Sequence, residues 1–299
     1  MKSSIIKSHK ARMLLCVMLG TVSCLVEESS PFTDDGQDWG AEVNLRAEIT
    51  QQYVTRANDN GFADGDQIGV FVVNYENDRP QDLALTGNHA DNVRFTYDDE
   101  SGLWTGAYQI YWKDKKTPVD AYGYHPFDPE LSSVTAYPFS VHRNQNAQVA
   151  STDITGYEAS DFLWAKAENV LPTSGLLNLK HGHVMAGVKI TILEGYGFED
   201  GEWESLSKQV MIENTRLDAQ INMQTGTVSV CDDSAVESII PIAVGIDFRA
   251  IVVPQTIEAG NNLISVTIDG QSQSYMTRFP AALTSLLKRH RPKTSVQMI

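Results

Sequence analysis

Two histidines are the first side chains in this 299-residue sequence whose spacing could support chemistry. His181 and His183 flank Gly182, and at positions i and i+2 of a strand they would face the same side and could share a metal ion. No third ligand stands nearby in the sequence, so packing or hydrogen bonding explains the pair better. We therefore predict no metal site.

An acidic turn offers a second candidate for metal binding. Asp59, Asn60, Asp64 and Asp66 are interleaved with glycines, a composition that hints at calcium. The spacing does not fit an EF-hand loop, and the closing glutamate is absent. A solvated turn is the better interpretation.

The sequence contains no motif typical of catalysis. It has no GxSxG, HExxH, phosphate-binding glycine loop or CxxC, and nothing singles out two of its 38 acidic residues as a glycosidase pair. Cys231 follows an alternating run and is best interpreted as a packed or edge-strand thiol. We predict a protein that is not an enzyme and needs no cofactor.

One stretch of the sequence is rich in aromatic residues. Such residues could stack on sugars, although β-sandwich cores use them more often. Exposure of Trp104 and Trp112 on one face would favour sugar binding, and burial of both would favour a structural scaffold. The aromatic residues concerned are Trp104, Tyr108, Tyr111, Trp112, Tyr122 and Tyr124.

Period-two hydrophobic patterns bounded by turn residues predict that the chain is mostly β-strand. Many short strands with Gly, Asn and Asp turns predict β-sandwiches, and the length fits two of them. The segments with this pattern are 43–49, 67–73, 92–97, 184–193, 219–223, 226–231, 248–253 and 263–268.

The organisation of the chain is predicted from two further segments. Residues 156–168 are the best candidate for a helical or mixed segment, and a Pro/Ser/Gly cluster at 171–175 indicates a boundary. We therefore expect one sandwich at 38–168 and a second at 169–299.

The charge distribution separates an acidic body from two basic ends. The formal net charge is −15, from 38 acidic and 23 basic residues, and the pI is near 4.8. Residues 1–23 carry four basic side chains and residues 276–299 carry five, with no acid in either, which leaves a net −24 between them. An acidic body argues against a nucleic-acid-binding surface.

The basic N-terminal end has the layout of a secretory signal. A positive segment, 1–12, precedes the uncharged apolar run 13–22, which is too short to span a membrane. Thr21-Val22-Ser23-Cys24 is similar to a lipobox, with Thr21 where a bulky aliphatic residue is usual. We expect a signal peptide at 1–23, lipidation of Cys24 and an acidic linker at 24–37; the alternative is ordinary cleavage that leaves Cys24 free.

Behind this signal, a series of short motifs resembles the fimbrillin family, the Mfa-like and FimA-like subunits of type V pili. The motifs occur in the family's order and spacing as far as about residue 280. They are Thr55-Arg56-Ala57, Gly65-Asp66-Gln67-Ile68-Gly69-Val70-Phe71, Asn92-Val93-Arg94-Phe95-Thr96-Tyr97, Tyr111-Trp112, Tyr122-Gly123-Tyr124-His125-Pro126-Phe127, Asp161-Phe162-Leu163-Trp164-Ala165 and Leu179 to Ile190.

The resemblance implies an all-β fold of two tandem transthyretin-like β-sandwich domains behind a lipoprotein signal peptide. It implies export to the cell outer membrane, Arg-specific removal of the first strand, and assembly with other fimbrial subunits by strand exchange to mediate adhesion. Arg46 and Arg56 are the candidate cleavage sites, and both could equally be ordinary arginines. The role as stalk, anchor or tip stays open, as does any host or bacterial surface receptor. The alternative is a surface lipoprotein that binds glycans through an aromatic-lined β-sandwich.

The C-terminal end departs from the family pattern. Residues 281–299 show no clear strand alternation and reverse the charge of the preceding body. We consider a genuine basic tail, a frameshifted end and a truncated end. A missing last strand would leave the second sandwich with an unpaired edge.

Overall fold

A computed structural model describes residues 40–50, 61–196, 198–257, 260–269, 271–276 and 291–298. Nearly all regular structure within them is β-strand, with two four-residue helices, α1 (Gly156–Ala159) and α2 (Glu202–Ser205). The strands in chain order are β1 (Asn44–Ile49), β2 (Gln67–Glu76), β3 (Arg79–Pro80), β4 (Ala90–Asp98), β5 (Leu103–Gly106), β6 (Val119–His125), β7 (Tyr137–Ser140), β8 (Leu163–Val170), β9 (Leu176–His183), β10 (Ala186–Tyr196), β11 (Lys208–Arg216), β12 (Asp218–Asn222), β13 (Thr227–Val230), β14 (Val236–Ile239), β15 (Ile242–Val244), β16 (Asp247–Val252), β17 (Asn262–Ile268), β18 (Gln271–Met276) and β19 (Arg291–Met298).

Eight strands between Asn44 and His183 form one sheet, here called the large sheet. Its order is β1-β9-β8-β6-β2-β4-β5, and β3 pairs with β2. Successive side chains of β2 point to opposite faces of the sheet, and the strand is buried on both faces. Ile68, Val70 and Val72 belong to one hydrophobic cluster, the N-terminal core, whereas Phe71 and Val73 belong to a second, the main core.

Three smaller sheets complete the described structure. Their orders are β15-β16-β10-β19, β14-β11-β17-β18 and β13-β12-β7. The main core takes buried aliphatic side chains from β10, β11, β16 and β17 as well as the aromatic side chains of the large sheet. The chain is therefore a nearly all-β protein with its sheets in a sandwich-like arrangement, as the sequence predicts.

The periodic segments predicted from sequence coincide with strands. All eight lie on or overlap β1, β2, β4, β10, β12, β13, β16 and β17. Residues 156–168 form a mixed segment, one of the two alternatives predicted for them. A capping box at Thr155 and Glu158 starts α1, which ends at Ala159, and Leu163 begins β8.

The predicted domain boundary at residues 168–169 is wrong in position, because it falls inside β8. β9 lies beyond the predicted boundary, yet it pairs with both β8 and β1 of the large sheet. The 171–175 cluster forms a short 3-10 turn, Pro172–Ser174, followed by Gly175 in the left-handed conformation at φ 62°. It is a turn within the sheet and not a linker between domains.

The basic C-terminal end contributes a strand that its sequence pattern does not predict. β19 pairs antiparallel with β10 from Val188↔Met298 to Tyr196↔Arg291, with an irregularity between Leu193 and Tyr196. Pairing along this length gives β10 a neighbour on the side away from β16. Residues 291–298 therefore form a strand although the sequence of 281–299 shows no clear strand alternation.

Among the described residues, no helix has both the length and the apolar character needed to cross a membrane.

Candidate functional site

β1 is an edge strand whose paired partner on the large sheet is β9. The two strands run parallel, from Asn44↔Leu176 to Ile49↔His181. Thr50 continues the ladder, donating its N–H to the His181 carbonyl at 2.7 Å. Parallel pairing brings together two segments far apart in sequence, so β1 is tied to the sheet by its own backbone and not by a hairpin.

The side chains of β1 alternate between the N-terminal core and the solvent. Val43 is buried just before the strand, and Leu45 and Ala47 pack half-buried against the same core. Arg46 and Glu48 point outward and form an ion pair at 3.6 Å. Exposed pairs of this kind contribute little, about 0–1 kcal/mol. The apolar face and the backbone ladder therefore hold the strand.

The far edge of β1 faces β5 across a groove of about 740 Å³. At one end the groove is closed by two backbone hydrogen bonds. The Val43 N–H donates to the Ile110 carbonyl at 2.9 Å, and the backbone N–H of Trp112 donates to the Ala41 carbonyl at 3.0 Å. Further along, the Trp104 indole N–H reaches the Ala47 carbonyl at 3.2 Å. A side chain thus bridges the groove where backbone pairing has stopped.

His181 lies beneath the end of β1. Its side chain is fully buried and contacts the Phe62 ring edge-on, with centroids 5.4 Å apart. Gly123 leaves room for it, since a Cβ at that position would lie 2.8 Å from the His181 Nε2. Burial, with a smaller contribution from His125, lowers the pKa of His181 to about 3. The imidazole is therefore neutral and acts as a core group.

His183 has a different environment. Its Nδ1 lies 2.8 Å from the Asp161 Oδ1, at the end of β9. The two imidazoles thus have different described neighbours, Phe62 for His181 and Asp161 for His183, although both stand on the same strand. The hydrogen-bonded interpretation of this histidine is confirmed.

The acidic turn brings three exposed carboxylates together. Ligand atoms of Asp64, Asp98 and Asp99 lie within 4.8 Å of one another. Asp66 instead accepts a hydrogen bond from the Ala63 N–H at 2.8 Å. Asp59 and Asn60 lie outside the described residues. A solvated acidic group is sufficient to explain this cluster.

The aromatic stretch does not form a sugar-binding platform at the two tryptophans. Trp112 is buried at 4% exposure, and Trp104 is half-buried against the N-terminal core. Phe62 meets the Trp104 ring edge-on at 4.9 Å, and Tyr97 covers it at 5.1 Å. Tyr122 and Tyr124 are buried in the main core, whereas Tyr108 and Tyr111 are exposed.

The remaining predicted site residues divide between the described and undescribed parts of the chain. Arg46 lies inside β1, opposite Asn178, with its side chain exposed. Arg56 and Cys24 lie outside the described residues, as does the predicted signal peptide. The pKa of the Cys231 thiol is raised by burial and by the neighbouring Asp233, Asp218 and Asp232, which makes it a poor nucleophile.

Two features of this region are not evident from sequence patterns. The parallel pairing of β1 with β9 joins segments about 130 residues apart. A second group, Asp120 with Tyr75 and Lys166, forms on the neighbouring central strands β6, β2 and β8. A charged residue inside the apolar run of β6 was the one available signal for it.

These features define a class of protein: an all-β sandwich whose distinctive element is an edge strand closing a hydrophobic core. Comparisons with known proteins agree with this class. A family model described as fimbrillin-like matches residues 55–289. No match was found among curated proteins.

Solved structures show the same fold. A proposed cell adhesion protein from Bacteroides uniformis superposes with a TM-score of 0.60 at 21% identity, covering 89% of this chain and 99% of that one. A second, from Bacteroides ovatus, gives a TM-score of 0.54 at 15% identity, covering 79% and 85%. The chain belongs to the fimbrillin-like family. It is thus a fimbrial structural protein and not an enzyme.

Proposed function

We propose that the chain is a subunit, or a minor or tip component, of a cell-surface fimbrium that assembles by strand exchange. The observation that carries the proposal is the position of β1, an edge strand that pairs with β9 and covers the N-terminal core. Removing it would expose the positions filled by Val43, Leu45 and Ala47 and the backbone edge of β9. An extended segment from another subunit could then pair with that edge.

The register of β1 supports one of the two candidate cleavage sites over the other. Cleavage after Arg46 would leave Glu48 and Ile49 paired with Lys180 and His181. Cleavage after Arg56 lies beyond the end of the strand and would free it whole. We therefore favour Arg56 as the maturation site.

The proposal includes delivery to the outer surface of the cell. The lipobox-like Thr21-Val22-Ser23-Cys24 would supply a lipid on Cys24 and anchor the precursor in the outer membrane until cleavage releases it. The partners are then other fimbrial subunits and the membrane, with adhesion as the outcome. No nucleic acid and no cofactor enter this account.

The packing of the two tryptophans argues against the alternative function, glycan binding. Burial of Trp112 and the packing of Trp104 against Phe62 and Tyr97 make both rings part of the scaffold.

The test is assembly of full-length protein expressed in a host that displays such fimbriae, with Arg56→Ala and Arg46→Ala compared. SDS-resistant ladders in surface fractions should disappear with Arg56→Ala and persist with Arg46→Ala. Arg143→Ala is the matched control, because the Arg143 side chain is 67% exposed and that of Arg46 is 66% exposed. Ladders that persist in both Arg56→Ala and the double variant would contradict maturation at these sites.

A further inference from the structure

Asp120 is a buried carboxylate in the middle of the large sheet, and its surroundings are unusual for an ordinary ion pair. The residue is 1% exposed, although it stands in the apolar strand β6. Its two oxygen atoms have different partners. Oδ1 is held by hydrogen-bond donors, whereas Oδ2 faces the amine of Lys166.

One oxygen is held by two hydrogen-bond donors. The Tyr75 hydroxyl donates to Oδ1 at 2.9 Å, and the Asn169 backbone N–H donates to the same atom at 2.9 Å. The β6–β8 pairing is irregular here, and Asn169 takes a positive φ of 51°, which directs its N–H to the carboxylate. Burial and the hydrogen bond to Asp120 raise the pKa of Tyr75 to about 12, so the phenol remains a donor.

The other oxygen faces an amine. The Lys166 Nζ lies 3.3 Å from Oδ2, and the Nζ also contacts the Glu168 carboxylate at 2.7 Å. The Tyr122 ring lies below the same nitrogen at 5.1 Å from its centroid. The amine thus stands between a buried carboxyl carbon and a second carboxylate that can accept a proton.

We propose that Lys166 and Asp120 condense to form an intramolecular isopeptide bond between β8 and β6. The reaction needs no reagent from outside. One ammonium proton of Lys166 passes to Oδ2 of Asp120, which gives a neutral amine beside a neutral acid.

The bond then forms by addition and elimination. The Nζ attacks Cγ of Asp120 while a second proton passes to Glu168, and Oδ1 takes the negative charge beside the two donors that already hold it. Glu168 returns its proton to Oδ2, the C–Oδ2 bond breaks, and water leaves. The product is one secondary amide and one water molecule from one ammonium and one carboxylate, so atoms and charge balance.

Burial favours the product over the pair. The ion pair keeps the cost of burying the Asp120 carboxylate beside a half-buried lysine, and the amide removes both charges. Burial by itself lowers the pKa of Lys166, but Glu168, Tyr122 and Asp120 together raise it. Proton transfer therefore opposes the reaction, and we expect a bond that matures slowly after folding.

A second lysine–aspartate pair, Lys189 with Asp247, serves as a control because it is less buried than Lys166 with Asp120. The Lys189 Nζ lies 2.9 Å from the Asp247 Oδ2, closer than in the proposed pair, but both side chains are more exposed, at 34% and 15%. We expect no bond there. The difference separates the effect of the site from that of simple proximity.

The test is a proteolytic digest of the purified full-length protein followed by mass spectrometry. The expected product is a branched peptide joining Lys166 to Asp120, with the mass of its two arms less one water. Lys166→Arg keeps the charge and should give two separate peptides, whereas Lys189→Arg should leave the branched peptide in place. Asp120→Asn should still form the amide, with ammonia as the leaving group.

The wild-type digest decides the matter even if a variant fails to fold. Recovery of unmodified Lys166 and Asp120 in separate peptides from aged, folded protein would overturn the proposal, as would a link at Lys189 instead. The bond does not depend on exchange of β1, so either idea can fail without the other.

Discussion

The indole of Trp104 donates a hydrogen bond to the backbone carbonyl of Ala47 at 3.2 Å, and so connects β5 to β1 across the groove between the sheet's edges. The contact lies where backbone pairing between the two edges has ended. The hydrogen bond therefore helps to stabilise β1 in the sheet before any cleavage.

Trp104→Phe should loosen β1 without unfolding the sheet. The substitution keeps an aromatic ring against Phe62 but removes the donor, at a cost of about 1 kcal/mol. Hydrogen exchange of the β1 amides should accelerate about fivefold. Leu103→Ala, an exposed neighbour on β5, is the control and should leave those rates unchanged.

His181 should make the protein less stable as the pH falls. The unfolded chain takes up a proton near pH 6.5, whereas the folded imidazole resists protonation until about 3. The unfolded state therefore binds more protons in that window, so stability is complete above pH 6.5 and declines below it by up to about 1.4 kcal/mol per pH unit.

Urea unfolding at several pH values checks this linkage. His181→Leu should reduce the slope, and the largest difference should lie near about pH 5, between the pKa values of the unfolded and folded states. Leu103→Ala changes an exposed side chain that does not titrate and should retain the wild-type slope. Identical slopes in wild type and His181→Leu would contradict the assigned burial.

Gly226→Ala should destabilise the protein by more than about 2 kcal/mol. The residue has φ +71°, and an added Cβ would overlap the Trp164 indole, whose N–H bonds to the Met223 carbonyl at 2.7 Å. Gly245→Ala is the matched control, with φ +60° and open space around it, and should cost only about 1 kcal/mol of backbone strain. Equal losses for both variants in thermal unfolding would refute the steric argument.

Gln145→Ala should cost about 2–3 kcal/mol. The Gln145 side chain is fully buried and makes two hydrogen bonds to the Ile251 backbone, at 2.6 Å and 2.8 Å. Truncation would leave both backbone groups of Ile251 without this partner. Gln220→Ala, at an exposed position of β12, should change the free energy of unfolding by less than about 0.5 kcal/mol.

The strands predicted from sequence are those with a clear alternation or a short apolar run. β17 is an example, since its buried residues Ile264 and Val266 recur every second position. β6 is different because it is buried along both faces, so its run Val119–His125 shows no alternation. In the sequence, part of β6 was singled out only by the resemblance of residues 122–127 to a motif of the fimbrillin family.

The extent of the large sheet beyond residue 168 and the pairing of the edge strand β1 with β9 could not be predicted from the sequence pattern. The Pro172–Ser174 turn has the composition of a linker, but its left-handed Gly175 returns the chain to the same sheet. The pairing of Ile49 with His181 depends on tertiary register. Likewise, the sequence shows that Asp120 is a charge in an apolar strand, but not that Lys166 and Tyr75 reach it.

The central claim, release of β1 before assembly, is tested most directly by N-terminal sequencing of the subunits in SDS-resistant surface ladders. The account predicts that they begin at Ala57, immediately after Arg56, with residues 44–49 absent. Assembled subunits that still begin at Cys24 would contradict it and would indicate an anchor or tip component that keeps its first strand.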